Sequence, residues 1–166
     1  WYFEQLFVNG RRAVRARSPN ESSYSFLDVT EEVTHRGRGR RPHKAHHTVR
    51  VRPQDLAPLT ALKKKALNDV NLMVYHKWDN TRRFIQAIDA ARSLILTEGE
   101  GLKPWNPWKK GSRYHLENFS AALDAPGEWF LSRTGTLSYV PRPEETIEHL
   151  RVVAPVIQKF LVVAGE

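Results

Sequence analysis

The stretch LENFSAALDAPGEWFLSRTGTLSYVPRPEE, residues 116–145, decides how this chain folds, because it holds a forced turn followed by a complete hairpin. Pro126 presets φ near −65° and Gly127 accepts φ > 0, so Ala125-Pro126-Gly127-Glu128 reads as a β-turn. A strand follows, then a turn at Thr134-Gly135, then a second strand. Trp129 and Tyr139 are expected to pack a core and Glu128 to hold the turn. The stretch contains no nucleophile elbow, metal box or phosphate loop.

The same pattern of turn residues and alternating strands recurs along the rest of the chain. Asn9-Gly10 between Leu6-Phe7-Val8 and Arg11-Arg12 is a type I′ hairpin signal, and Val14-Arg15-Ala16-Arg17 alternates apolar with charged. Ser18-Pro19-Asn20-Glu21 ends that strand, and a short one is expected over 24–27. Strands are also expected over 70–78, 82–88, 93–97 and 114–119, with Glu98-Gly99-Glu100-Gly101 opening a long Pro- and Trp-containing loop. From Pro53 the residues Leu56, Leu59, Leu62 and Leu67 predict one short amphipathic helix ending near Asn68-Asp69, with Lys63, Lys64 and Lys65 in water. Residues 31–47, EEVTHRGRGRRPHKAHH, read as an extended loop. At the tail, Pro155 argues against a helix, and strands are expected over 148–153 and 160–163.

Five Trp, five Tyr and seven Phe among 166 residues, 40% of which are hydrophobic, suit half-buried sheet surfaces and allow a core. The expected class is therefore all-β with minor α, an antiparallel β-sandwich or barrel-like module. With no Cys there is no disulfide, which leaves cytoplasm and periplasm open. No apolar run reaches the ~20 residues of a membrane span. The chain starts at Trp1 and its single Met is the internal Met73, so it reads as a segment of a longer protein.

The net charge of +8 is concentrated. Arg36, Arg38, Arg40, Arg41, Lys44, Arg50 and Arg52 lie in one acid-free stretch, which leaves the rest nearly neutral. Arg36, Arg38, Arg40, Arg41 and Lys44 could neutralise a polyanion, such as an acidic polysaccharide. Interleaved aromatics and helix-turn-helix or RNP patterns are missing, which argues against nucleic acid. A solvated loop is the plainer reading.

Other chemistry is weighed in the same way. Glu117, Asp124 and Glu128 supply carboxylates of the kind glycosidases pair, yet turn capping, or ion pairing to Arg113 and Arg133, explains them better. His43, His46 and His47 sit among cations that would repel a metal ion, and His76 alternates with apolar residues as a half-buried core histidine. No catalytic residue, cofactor or metal site is expected. Trp105, Trp108 and Lys109 form the candidate sugar contact, since indole faces stack on sugar rings. The alternative is a plug over the open end of a sandwich.

Three segments carry a family resemblance: FEQLFVNGRRAVRARSPN (3–20), VYHKWDNTRRFI (74–85) and RYHLENFSAALDAPGEWFLSRTGTLSYVPRPEE (113–145). In this order they resemble the N-terminal region of right-handed parallel β-helix proteins of the glycoside hydrolase family 141 type. The resemblance implies a leading β-helix hairpin at 1–20 and an inserted β-rich module at 21–143, with the basic loop at 33–52. Resumed β-helix rungs would follow at 144–166, so the module's N- and C-terminal edges would belong to a parallel β-helix. It also implies a secreted or periplasmic parent that cleaves glycosidic bonds of plant-type polysaccharides, with its catalytic acids beyond Glu166. The present chain is then expected to be an inactive accessory segment that shapes or walls the substrate groove and has the remainder of the parent as partner. A carbohydrate-binding module or a polyanion-binding domain is the alternative. The basic stretch 35–47 departs from the family pattern.

Overall fold

The computed structural model describes residues 3–157, and their architecture is all-β with five short helical segments. The opening hairpin forms as its Asn-Gly predicts. β1 (Leu6–Val8) and β2 (Arg11–Arg15) pair antiparallel, with both Asn9 and Gly10 at positive φ. The closing hairpin also forms: β11 (Glu128–Leu131) pairs with β12 (Leu137–Tyr139), and Gly127 and Gly135 take the positive φ their turns require.

These two hairpins belong to one sheet. β11 lies parallel to β2, and β13 (Val152–Val153) pairs with β1, giving the five-stranded order β12-β11-β2-β1-β13. Phe3, Leu6, Val8, Ala13 and Trp129 form its core, with Tyr139, Leu131 and Leu150 packed against them. Trp129 and Tyr139 thus pack as the sequence predicts.

Between β2 and β11 the chain builds a second sheet from β3 (Arg17–Ser18), β4 (Tyr24–Ser25), β5 (Asp28–His35), β6 (Lys44–Arg50), β7 (Asn71–Tyr75), β8 (Asn80–Asp89), β9 (Leu94–Gly99) and β10 (Arg113–Glu117). Its order is β3-β10-β7-β8-β9-β6-β5, with β4 also on β10, and every pairing is antiparallel. The first half of β8 pairs with β7 and the second half with β9, with a register shift between Ile85 and Ala87. That irregularity bends the strand and curls the sheet around its own core. Val49, Leu72, Val74, Ile85, Ile95, Tyr114 and Leu116 fill the interior.

Four expectations are corrected. Residues 31–47 are not a loop but most of the β5–β6 hairpin; Ala45, His47 and Val49 alternate inward while the cations alternate outward. The single helix from Pro53 is broken into α1 (Pro53–Leu56), a 3₁₀ turn (Ala57–Leu59) and α2 (Lys64–Leu67), because Pro58 lacks the N–H a continuous helix needs. Its leucines are still buried, with Leu56, Leu59 and Leu67 in the large core. The strand expected to run to Trp78 stops at Tyr75, where the chain turns and the His76 N–H donates to the Asp79 carbonyl. In the tail, Ile147–His149 is a 3₁₀ turn and only Val152–Val153 is strand; the strand expected over 160–163 lies outside the described residues.

Candidate functional site

Strand β10 (RYHLE) divides its side chains by the two-residue period of a strand. Tyr114 and Leu116 enter the core, while Arg113, His115 and Glu117 face the other way. Across the ladder, Tyr75 and Met73 of β7 stand opposite Arg113 and His115, and Arg82 of β8 stands opposite Met73. This polar face meets residues 4–5 and β2 of the smaller sheet. A cleft of about 540 Å³ lies between the sheets, with Arg12, Arg15, Arg82, Glu4, His115 and Glu117 among its lining residues.

A chain of hydrogen bonds runs along its floor. Tyr75 Oη is 2.9 Å from His115 Nδ1, and His115 Nε2 is 3.3 Å from Glu117 Oε2. An ionised carboxylate can only accept, so in the neutral imidazole Nε2 carries the proton and Nδ1 accepts from the Tyr75 hydroxyl. Glu117 Oε1 lies 3.9 Å from Arg15 Nη1. Arg15 is nearly buried, its guanidinium 4.8 Å above the Trp129 ring, and Nη2 donates to the Phe3 carbonyl at 2.9 Å. No other hydrogen bond is made by the Arg15 side chain among the described residues, and its Nε is buried without an acceptor. Glu4 is paired with Arg82. Arg17 is committed to a turn, donating to the carbonyls of Pro19 and Ser22.

Among the described residues the cleft contains two carboxylates: Glu4 is paired with Arg82, and Glu117 is bonded to His115 with Arg15 Nη1 3.9 Å away. Glycoside hydrolysis needs one carboxyl free to donate a proton and a second free to attack or to activate water. Glu128 offers neither. It is 3% exposed; Oε2 accepts the backbone N–H groups of Asp124 and Ala125, and Oε1 that of Arg17. It holds the turn, as the sequence suggests. Asp124 accepts from the Asn20 side-chain amide. The expected ion pairs are replaced: Arg133 pairs with Asp69, and Glu117 faces Arg15.

The predicted tryptophan contact separates. Trp105 is 56% exposed, but Trp108 is 4% exposed, with its ring against Phe26, His47 and His76. Its Nε1 donates to His76 Nε2 at 2.9 Å, so His76 carries its proton on Nδ1, which donates to the Asn106 carbonyl. Trp108 is thus a plug in the mouth of the curled sheet and offers no open face, while Lys109 is exposed beside it. Trp78, at the end of the stretch expected as a strand, is 69% exposed. Asn106 ties its turn to the Trp105 loop, accepting from the Lys77 N–H and donating to Asp79, while Lys103 pairs with Asp79.

The basic residues also divide. Arg36, Arg38 and Arg40 are exposed at the tip of the β5–β6 hairpin. Arg41 instead pairs with Glu100 and donates to the Gly101 carbonyl, and Lys44 pairs with Glu98. The three neighbouring histidines face different surroundings. His43 meets the His35 ring, His46 pairs with Glu98, and His47 is buried against Glu31, where burial lowers its pKa.

Arg15, Tyr75, His115, Glu4 and Arg82 were missed by sequence reasoning. The alternation Arg113, His115, Glu117 was a legible signal for a polar strand face. What that face opposes depends on the second sheet, which no local pattern reports.

No protein-family model and no curated protein matches the chain. A solved structure described as a glycoside hydrolase is similar in fold, with a TM-score of 0.65 at 20% identity. The match covers 93% of this chain and 26% of the other, so the chain spans about a quarter of the length of the structure it matches.

Proposed function

We propose that this chain is a carbohydrate-related accessory segment of a polysaccharide-degrading β-helix glycoside hydrolase, shaping or walling the substrate groove. The observation that carries this reading is the fold shared along 93% of the chain with part of a much longer glycoside hydrolase. Two further facts support it. Glu4 is paired with Arg82, Glu117 is bonded to His115, and Glu128 is spent on backbone N–H groups. Hydrolysis then falls to acids of the remaining parent chain, in line with a resemblance to the family 141 type, with residues 1–20 and 144–166 continuing into the β-helix and 21–143 inserted between them.

The test is direct. The purified chain, incubated with aryl α-L-fucosides and with xylan, should release no product above buffer. Turnover that disappears in Glu117→Gln would place catalysis inside the chain and end the accessory reading.

A second reading is favoured by the exposure of Trp105 and Trp78 on tied loops. Such indole faces are suited to stacking on sugar rings, so the glycan contact would use Trp105 with Trp78 in place of Trp108. Glycan binding unchanged by Trp105→Ala and Trp78→Ala would remove it.

A further inference from the structure

We infer that the cleft between the two sheets is a binding site for a saccharide carboxylate, a uronate unit, with Arg15 as its anion-binding group and Arg12 at its exposed rim. The anion follows from the cleft alone; the sugar that carries it rests on the carbohydrate reading above.

Charge is the first argument. Four arginines line the cleft against two glutamates. Arg82 is matched by Glu4 and Arg17 is held by carbonyls, whereas Arg12 makes no side-chain hydrogen bond or ion pair among the described residues. Hydrogen bonding is the second. A guanidinium has five N–H donors and a fork that fits a carboxylate in two parallel bonds. Arg15 uses one donor on the Phe3 carbonyl, and Glu117 at 3.9 Å is beyond hydrogen-bonding distance. Glu117 is itself shared with His115, and with Nε buried it is the Nη groups of Arg15 that are left for a ligand.

Rigidity and size complete the case. Trp129 beneath the guanidinium and the Phe3 carbonyl beside it hold Arg15 in place before anything binds, so little ordering is required. The Tyr75–His115–Glu117 chain fixes the floor, where the Tyr75 ring and Met73 supply less polar surface for a sugar ring. At about 540 Å³ the cleft suits a ligand of one or two sugar units.

The test is calorimetric titration of the chain with digalacturonate and, in parallel, with neutral xylobiose and with inorganic sulfate. Digalacturonate should bind while xylobiose and sulfate do not. Arg12→Gln should weaken binding about fivefold to tenfold, the loss expected for one charge-assisted hydrogen bond at an exposed rim. Arg15→Lys keeps the charge but loses the fork and should weaken it more; if that variant does not fold, Arg12→Gln still decides. Replacing Arg36, Arg38 and Arg40 together with Ser should change nothing, which separates the cleft from the hairpin tip. Equal binding of xylobiose, equal binding of sulfate, no binding of digalacturonate, or indifference to Arg12→Gln would each overturn the proposal. Those results leave the accessory reading standing, since that falls only if the chain itself cleaves glycosides.

Discussion

Glu128 shows how one side chain can look catalytic in sequence and prove structural in place. It follows a Pro-Gly turn, and three backbone N–H groups converge on its two oxygens. Removing those acceptors would leave buried donors unpaired, at roughly 1–3 kcal/mol each when unrelieved by water. Glu128→Ala should therefore cost about 3 kcal/mol in urea unfolding; a loss below about 1 kcal/mol would mean the turn does not depend on it. Burial pushes the carboxyl above its ordinary value of 4.5 and outweighs the opposing pull of the backbone N–H groups. Folding thus tightens proton binding at this group. Its contribution to stability is fully present below pH 4.5 and is lost as pH rises through the folded value. Wild-type stability relative to Glu128→Gln should accordingly decline from pH 4.5 towards neutrality; a difference that is flat or rising with pH would contradict this.

At the scale of elements, the two Trp-bearing loops and the basic hairpin show what local pattern can and cannot give. Both Asn9-Gly10 and Pro126-Gly127 were legible because their backbone angles are demanded by residue type. Alternation also found the cores of β7, β8, β9 and β10. It failed for residues 31–47, where cations on the outward positions masked the inward Ala45, His47 and Val49. It failed again at Trp78, because a strand's end is set by where its partner turns back, here by the bond from His76 to Asp79. Trp108 and Trp105, three residues apart, have opposite environments for a similar reason. Trp108→Phe should cost about 1–2 kcal/mol through the lost bond to His76, whereas Trp105→Ala should stay within about 0.5 kcal/mol. Thermal unfolding of the two variants checks this, and a large loss on removing Trp105 would show that its ring is not simply exposed.

Across the whole molecule, two cores of unequal size share one cleft. The curled sheet encloses the larger core, in which Leu72 and Val74 are fully buried on a strand paired on both sides. Among the described residues the smaller core holds five that are buried, beneath a sheet edged by the two-residue β13, whose valines are exposed. Opening free energy follows such differences in burial and pairing. Hydrogen exchange should be slowest for the amides of β7 and faster by orders of magnitude for those of β13; uniform protection would show the two sheets opening as one unit. The all-β class, the two hairpin turns, most strands and the turn-holding role of Glu128 were legible in the residues alone, because φ preferences and two-residue alternation act within a few residues. The folded chain adds that β11 returns parallel to β2, that Trp108 is a plug, and that Arg15, His115, Tyr75 and Glu117 meet in one cleft. Those relations join strands far apart in sequence, and their geometry comes from the packing of one sheet against another. The stretch from Leu116 to Glu145 carried both kinds of information: its turns were local, while the partner of Glu117 lay a hundred residues upstream at Arg15.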